Sequence, residues 1–130
     1  MFWKKTATPS TRTTGQWGES QALQYLADRG YTIVTTNYRK RYGEIDIIAR
    51  DGSTLVFVEV KCRSHHAFGS GLEAVDMRKQ QRICRVAAEY LQTHQHGEIG
   101  VRFDVIAVHR RPGHQAAVIE HVENAFDYSL

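Results

Sequence analysis

The chain has 130 residues, 42% of them hydrophobic, which is the size of one ordinary domain with enough apolar content for a core of its own. Its two cysteines, Cys62 and Cys84, form no CxxC or Cys/His zinc spacing, which argues against a disulfide framework or structural zinc and for two reduced thiols. A net charge of +3 names no partner by itself; with no continuous apolar run long enough for a signal peptide or membrane span, the expectation is a soluble, cytoplasmic protein without a membrane partner.

Residues 1–13 read as a flexible basic N-terminal arm, followed by a single domain at 14–130. Thr13-x-x-Gln16 has the form of a capping box and predicts a helix to about Arg29, stopped by Gly30. Its inward stripe is Ala22, Leu23, Leu26 and Ala27, and stepping back along that stripe by three and four residues reaches Glu19. A carboxylate therefore stands at one end of the buried face. Residues 31–38 (YTIVTTNY) predict a first strand. Next comes Tyr38-Arg39-Lys40-Arg41-Tyr42, the peak of a basic surplus: residues 1–43 hold seven Lys/Arg against two Asp/Glu, and residues 44–94 hold seven of each. Such a triplet is most simply a solvated loop, and contact with phosphate gains weight only if neighbouring residues can act on one.

Residues 42–50 (YGEIDIIAR) and 54–62 (TLVFVEVKC) predict two more strands joined at Asp51-Gly52, a strong hairpin signal. Alternation places Glu44, Asp46 and Ile48 on one face, with Ile45, Ile47 and Ala49 on the other. In the next strand Leu55, Phe57, Glu59 and Lys61 share a face. A two-residue loop would pair Glu44 with Glu59, and a four-residue loop would pair Asp46 with Glu59; either register puts Asp46, Glu59 and Lys61 on one face. After a Gly/Ser/His loop, residues 72–94 predict the longest helix, with Ile83, Val86, Ala87, Tyr90 and Leu91 as its core stripe. Continued toward the N-terminus, that stripe leans Lys79 and Gln80 toward the sheet. Residues 101–109 and 116–122 predict the last strands. The order αβββαββ indicates an α/β fold, a mixed sheet flanked by helices, because returning a parallel strand requires a crossover such as the long helix.

Glu19, Asp46, Glu59, Lys61, Lys79 and Gln80 break the apolar pattern at inward positions. Carboxylates gathered at one point repel unless a cation sits between them, and hard oxygen ligands suit Mg²⁺ or Mn²⁺ rather than zinc. An ion held by Asp46 and Glu59, with the Val60 carbonyl as a further oxygen and Lys61 adjoining a bound water, is apparatus for phosphodiester hydrolysis. Taken singly these signals are weak: an E-x-K triplet is common, and its ordinary reading is a surface ion pair. The combination is more specific, since strand period, hairpin register and two helices must agree. Glu44 could assist a metal or serve as an ion-pair partner. His65, His66, His94 and His96 read as solvated, Asp104 as structural, and Arg78, Arg82 and Arg85 as an exposed helix face with some prospect of backbone contact.

GEIDIIA, a short hairpin and VFVEVKCR resemble the D…(D/E)xK signature of the restriction-endonuclease-like nuclease superfamily, whose common core is αβββαβ. Through GQWGESQAL, YGEIDIIARDG, VFVEVKCR, DMRKQQRI and RFDVIAV, the chain more closely resembles the YraN-like family of small bacterial proteins, over residues 15 to about 127. Archaeal Holliday-junction resolvases look similar over the first helix and the three-strand region. The resemblance implies metal-binding acids at Asp46 and Glu59, the signature lysine at Lys61, a first-helix glutamate at Glu19 and a second-helix polar residue at Gln80. It implies a Mg²⁺- or Mn²⁺-dependent endonuclease acting on DNA, including branched forms; from the charge pattern, Arg39, Lys40, Arg41, Arg63 and Lys79 are the candidate nucleic-acid contacts. A homodimer is expected where both strands are cut. The competing reading is a catalytically silent nucleic-acid-binding or assembly module on the same fold.

Overall fold

A computed structural model describes residues 11–63, 75–94, 97, 99–110 and 117–127, with side chains from Gly15 onward. Residues 1–10 of the N-terminal arm and the histidines His65, His66 and His96 lie outside the described residues, while Thr11 to Thr13, read as part of that arm, belong to the first helix.

Helix α1 spans Thr11–Asp28, opening two residues before the expected capping box. It ends as predicted at Gly30, whose φ of 89° belongs to the left-handed region. The Gly30 N–H donates to Ala27 O and the Tyr31 N–H to Leu26 O, a Schellman closure that needs this conformation. Of the expected stripe, Ala22 and Leu26 are fully buried. Ala27 is exposed, and Tyr25 packs inward instead.

Strands β1 (Thr32–Lys40), β2 (Gly43–Asp51) and β3 (Thr54–Arg63) form an antiparallel meander. Arg39 and Lys40 thus belong to a strand rather than a loop. Helix α2, Met77–His94, crosses over to β4 (Gly100–His109), which lies parallel to β3; β5 (Val118–Val122) returns antiparallel to β4. The spatial order is β1-β2-β3-β4-β5, the mixed α/β architecture expected from the αβββαβ pattern. Asp76 starts α2 by accepting the Lys79 N–H at 2.8 Å, later than the start predicted at residue 72.

The helices cover opposite faces. Beneath α1 lie Ile47, Ala49, Val56, Val58, Ile106 and Val108; beneath α2 lie Leu55, Phe57, Phe103 and Val105, packed on Ile83, Val86 and Tyr90. Leu55 through Glu59 are consecutively buried because β3 is the central strand and is covered on both sides.

A charged cluster ties the α1 side together. Asp104, fully buried, accepts from Arg102 Nε at 2.9 Å and Nη2 at 3.0 Å, from the Asn124 N–H at 3.0 Å and from His121 Nε2 at 2.7 Å. With Nε2 donating, His121 Nδ1 accepts the Tyr25 O–H at 3.1 Å. Arg102 also donates to Tyr31 Oη at 2.7 Å and to Asp51 at 3.0 Å. Burial alone would raise the Asp104 pKa, but bonds from His121, Arg102 and the Asn124 N–H outweigh it and hold the carboxyl below its ordinary value. The network joins α1, the β2–β3 turn, β4 and β5, in keeping with the structural role expected of Asp104.

Candidate active site

The elements around the fork of β2 and β3 each deliver polar side chains to it. The ladder between these strands runs from Asp51↔Thr54 to Ile47↔Val58. It continues the register that brings Asp46 toward Glu59, with the turn itself closed by Gly52-Ser53 and Gly52 at φ 62°. Beyond Ile47, Asp46 Oδ2 accepts the Val60 N–H at 2.8 Å. The side-chain carboxylate thus stands where a backbone partner would, and the two strands part around it.

Strict alternation along β2 does not hold. Ile45 packs beneath α2 with Ile48, while Ile47 and Ala49 pack beneath α1. The break falls at Asp46, across from Asn37, which lies between the pairs Thr36↔Ile47 and Tyr38↔Ile45 and has φ 51°. Asparagine tolerates that left-handed conformation better than most residues. Asp46 therefore borders two cavities rather than standing on one face. A cavity of about 610 Å³ on the α1 side is lined by Gln16, Glu19, Asn37, Glu44, Asp46 and Cys62. A smaller one of about 160 Å³ on the α2 side is lined by Glu44, Asp46, Glu59, Lys79 and Arg82.

On the α2 side, Glu59 is 6% exposed and pairs with Lys79 and, at 3.6 Å, with Lys61. Burial and then the neighbouring Glu59 carboxylate push the Asp46 carboxyl up to about 8. Burial, followed by the adjoining Lys79, pulls the Lys61 amine below its ordinary value. For Lys79 burial acts downward too, but bonds to Glu59 and Lys61 outweigh it and the net direction is up. A half-buried acid raised by burial and by a second carboxylate thus stands beside a half-buried amine lowered by burial and by a second ammonium.

On the α1 side, Asn37 Nδ2 donates to Glu19 Oε2 at 3.0 Å and to Glu44 Oε2 at 3.1 Å. Glu44 also pairs with Arg39 at 3.3 Å. Glu19 reaches this position because Gly18 lets α1 sit directly on β3: a Cβ there would stand 3.0 Å from Cys62 Cβ and 3.1 Å from its Sγ. Gly18→Ala should push α1 outward by a few tenths of an ångström, carry Glu19 off the cavity and lower the melting temperature by about 5 °C. A thermal melt together with the position of Glu19 in a crystal of the variant checks this.

The structure therefore gathers Asp46, Glu59, Lys61 and Lys79 around the fork, with Glu19 on the opposite side of Asp46. Val60 contributes its N–H to Asp46. Gln80 is not drawn in: its Nε2 donates to Val75 O at 3.0 Å, closing the first turn of α2, and Lys79 takes the place beside Glu59. Arg39 and Lys40 are held by Glu44 and Glu89, Arg41 is exposed, and the buried Arg63 Nε has no hydrogen-bond partner among the described residues. Asn37 was missed by the sequence reading. An asparagine inside a β-rich run was the available signal, since that residue type is depleted in strands.

Cys62 and Cys84 are not joined in a disulfide, and no helix among the described residues is long and apolar enough to cross a membrane. Among the described residues no three His, Cys, Asp or Glu side chains stand in metal-binding geometry; the Lys79 ammonium occupies Glu59 instead.

A family model described as "Uncharacterised protein family UPF0102" matches residues 18–108. A UPF0102 protein of Syntrophus aciditrophicus is 47% identical over 114 residues, covering 88% of either chain. Another, of Chlorobium chlorochromatii, is 48% identical over 121 residues, covering 90% of this chain and 93% of its own. A third, of Alkaliphilus oremlandii, is 49% identical over 86% of this chain and 96% of its own. The matched span runs from Gly18 through Val108 and so takes in the fork, α2, most of α1 and the Arg102–Asp104 pair, and on this similarity the chain belongs to the UPF0102 family, the YraN family its motifs resemble.

Proposed function

We propose that the protein is a Mg²⁺- or Mn²⁺-dependent endonuclease that hydrolyses phosphodiester bonds of DNA, branched or otherwise structured DNA included. The observation that carries the reading is the convergence of Asp46, Glu59 and Lys61 at the parted end of β2 and β3, with the Asp46 carboxyl raised to about 8 by burial and by Glu59. Two neighbouring hard carboxylates that repel one another fit a hard divalent cation, and Asp46 and Glu59 would hold it. Glu19 and the Val60 carbonyl are the proposed additional oxygens. When bound, such an ion polarises a phosphoryl oxygen and lowers the pKa of a water. Lys61, already below the ordinary lysine range, is suited to orient that water and exchange a proton with it. Lys79 neutralises Glu59 in the metal-free protein and would be released to meet the phosphate.

The test is a cleavage screen over four-way junctions, single strands and plain duplexes, with Mg²⁺, Mn²⁺ or EDTA. Cleavage that requires the metal is expected, and intact substrates of every shape with both metals would sink the reading. The second reading, a silent nucleic-acid-binding or assembly module, draws on the Lys79–Glu59 pair, which already supplies the cluster with a cation. Binding without cleavage, undiminished by EDTA, would select it. A homodimer is proposed where both strands of a duplex are cut.

Cation binding should also compete with the proton on Asp46. Mn²⁺ added to EDTA-treated protein should raise the melting temperature more at about pH 8.5 than at about pH 6, because displacing the proton costs less as pH rises. An equal shift at both pH values would contradict the assignment of Asp46 as a ligand.

A further inference from the structure

Beside the fork lies a second groove, of about 640 Å³, between the β1–β2 turn and the exposed side of α2. Its walls carry five cations, Arg39 and Lys40 from the end of β1, Arg41 from the turn and Arg82 and Arg85 from the helix, against one carboxylate, Glu44. Two of the cations are already engaged, Arg39 with Glu44 and Lys40 with Glu89. Arg41, Arg82 and Arg85 are exposed and pair with no carboxylate among the described residues. The Arg85 guanidinium lies 4.2 Å from the centre of the Tyr42 ring, which holds it over the groove.

The groove exists because the turn rests directly on α2. A Cβ at Gly43 would stand 3.2 Å from Val86 Cγ2 and 3.4 Å from Arg82 Cβ, so a side chain there would push the two elements apart by a few tenths of an ångström. Gly43, Glu44 and Arg82 also line the small cavity that contains Asp46, Glu59 and Lys79. The basic groove and the fork are therefore continuous. Arg82 and Arg85 are three residues apart, about 4.5 Å along the helix axis, and both side chains flank the same groove.

We propose that this groove is the track of a nucleic-acid backbone, in which Arg82 and Arg85 grip the phosphates beside the one delivered to the fork. The inference rests on the proposed function for the identity of the polyanion. It adds α2 to the binding surface, where the exposed arginines could equally have been a solvated helix face. Guanidinium groups left without carboxylates along a continuous channel suit a chain of regularly spaced phosphates. Arg82 and Arg85 set affinity and register here, and the reacting groups remain those of the fork.

The test is anisotropy with a labelled four-way junction and a labelled duplex in EDTA, so that binding is read without cleavage. R82E/R85E should bind at least about tenfold more weakly than wild type, and the slope of log affinity against log salt should fall by about 2. R29E/R50E, with both charges exposed away from the groove, should keep affinity close to wild type. Melting curves confirm that both variants fold. Wild-type affinity and salt slope in R82E/R85E would overturn the track, as would displacement of the DNA by polyglutamate at equal charge concentration, which would point to an acidic protein. Loss of binding in R82E/R85E with no metal-dependent cleavage by wild type would keep the track and sink the nuclease reading. Cleavage by wild type with an unchanged KM in R82E/R85E would do the reverse; a raised KM with unchanged kcat is the result expected if both hold.

Discussion

Replacing Lys61 by alanine, or Asp46 by asparagine, should lower the cleavage rate by about a thousandfold or more while the fold survives. The two losses arise differently. Lys61→Ala removes the amine adjoining Glu59 and leaves the carboxylates in place, so metal binding should persist without turnover. Asp46→Asn removes a proposed ligand, so the metal-induced thermal shift should shrink together with the rate.

Asp46→Asn should in addition stabilise the metal-free protein. Burial and the Glu59 charge raise the Asp46 carboxyl to about 8 in the folded state, against about 3.9 for an unfolded chain. The native state then holds more protons than the unfolded state between those values, so stability is fully present below about pH 4 and is lost as pH rises through about 8. Asparagine carries no such charge. In EDTA the melting temperatures of wild type and Asp46→Asn should agree near pH 4 and diverge upward in pH, with the variant the more stable. Side chains retained for function at a cost to the fold give this combination of lost activity and gained stability. If the variant were less stable at about pH 8, Asp46 would be a structural residue and the proposed site would lose its central ligand.

Asp104→Ala should be the most damaging substitution for the fold, at about 3–5 kcal/mol. Asp104 is fully buried and gathers Arg102, His121 and the Asn124 N–H, so its removal leaves a guanidinium and an imidazole facing each other without the charge that reconciles them. Its effect has the opposite pH sign to that of Asp46. A carboxyl held below its ordinary value contributes stability above the unfolded pKa, and that stability is lost as pH falls through the folded one. Urea denaturation at about pH 7 and about pH 3 separates the cases: the gap between wild type and Asp104→Ala should narrow in acid. A cost under about 1 kcal/mol at neutral pH would mean that the cluster is solvated and only decorative.

Local signals carried most of the architecture. Gly30 ended α1 because the Schellman closure needs a left-handed residue, and the Ile83, Val86, Ala87 and Tyr90 stripe faces the sheet because helical period decides it. In β3, alternation correctly set Glu59 on the face of Phe57, and the Lys79–Glu59 pair lies where the α2 stripe pointed. At Asp46 the same rule failed. Alternation assumes uniform strand backbone, and Asn37 in a left-handed conformation opposite Asp46 breaks that assumption, so Ile45 turns toward α2 and Asp46 toward the gap between strands.

What the sequence by itself determined, then, was the identity and order of the elements and the polar residues at their inward positions, because capping, turn chemistry and side-chain period act over a few neighbours. Tertiary structure alone decided which of those residues meet. That Asn37 bridges Glu19 and Glu44, that Lys79 rather than Gln80 reaches Glu59, and that Arg82 and Arg85 close a groove with the β1–β2 turn all depend on how two helices seat on a twisted sheet. Those contacts join segments far apart in the chain, and their energies are set by burial and charge in the assembled protein, which no local run of residues encodes.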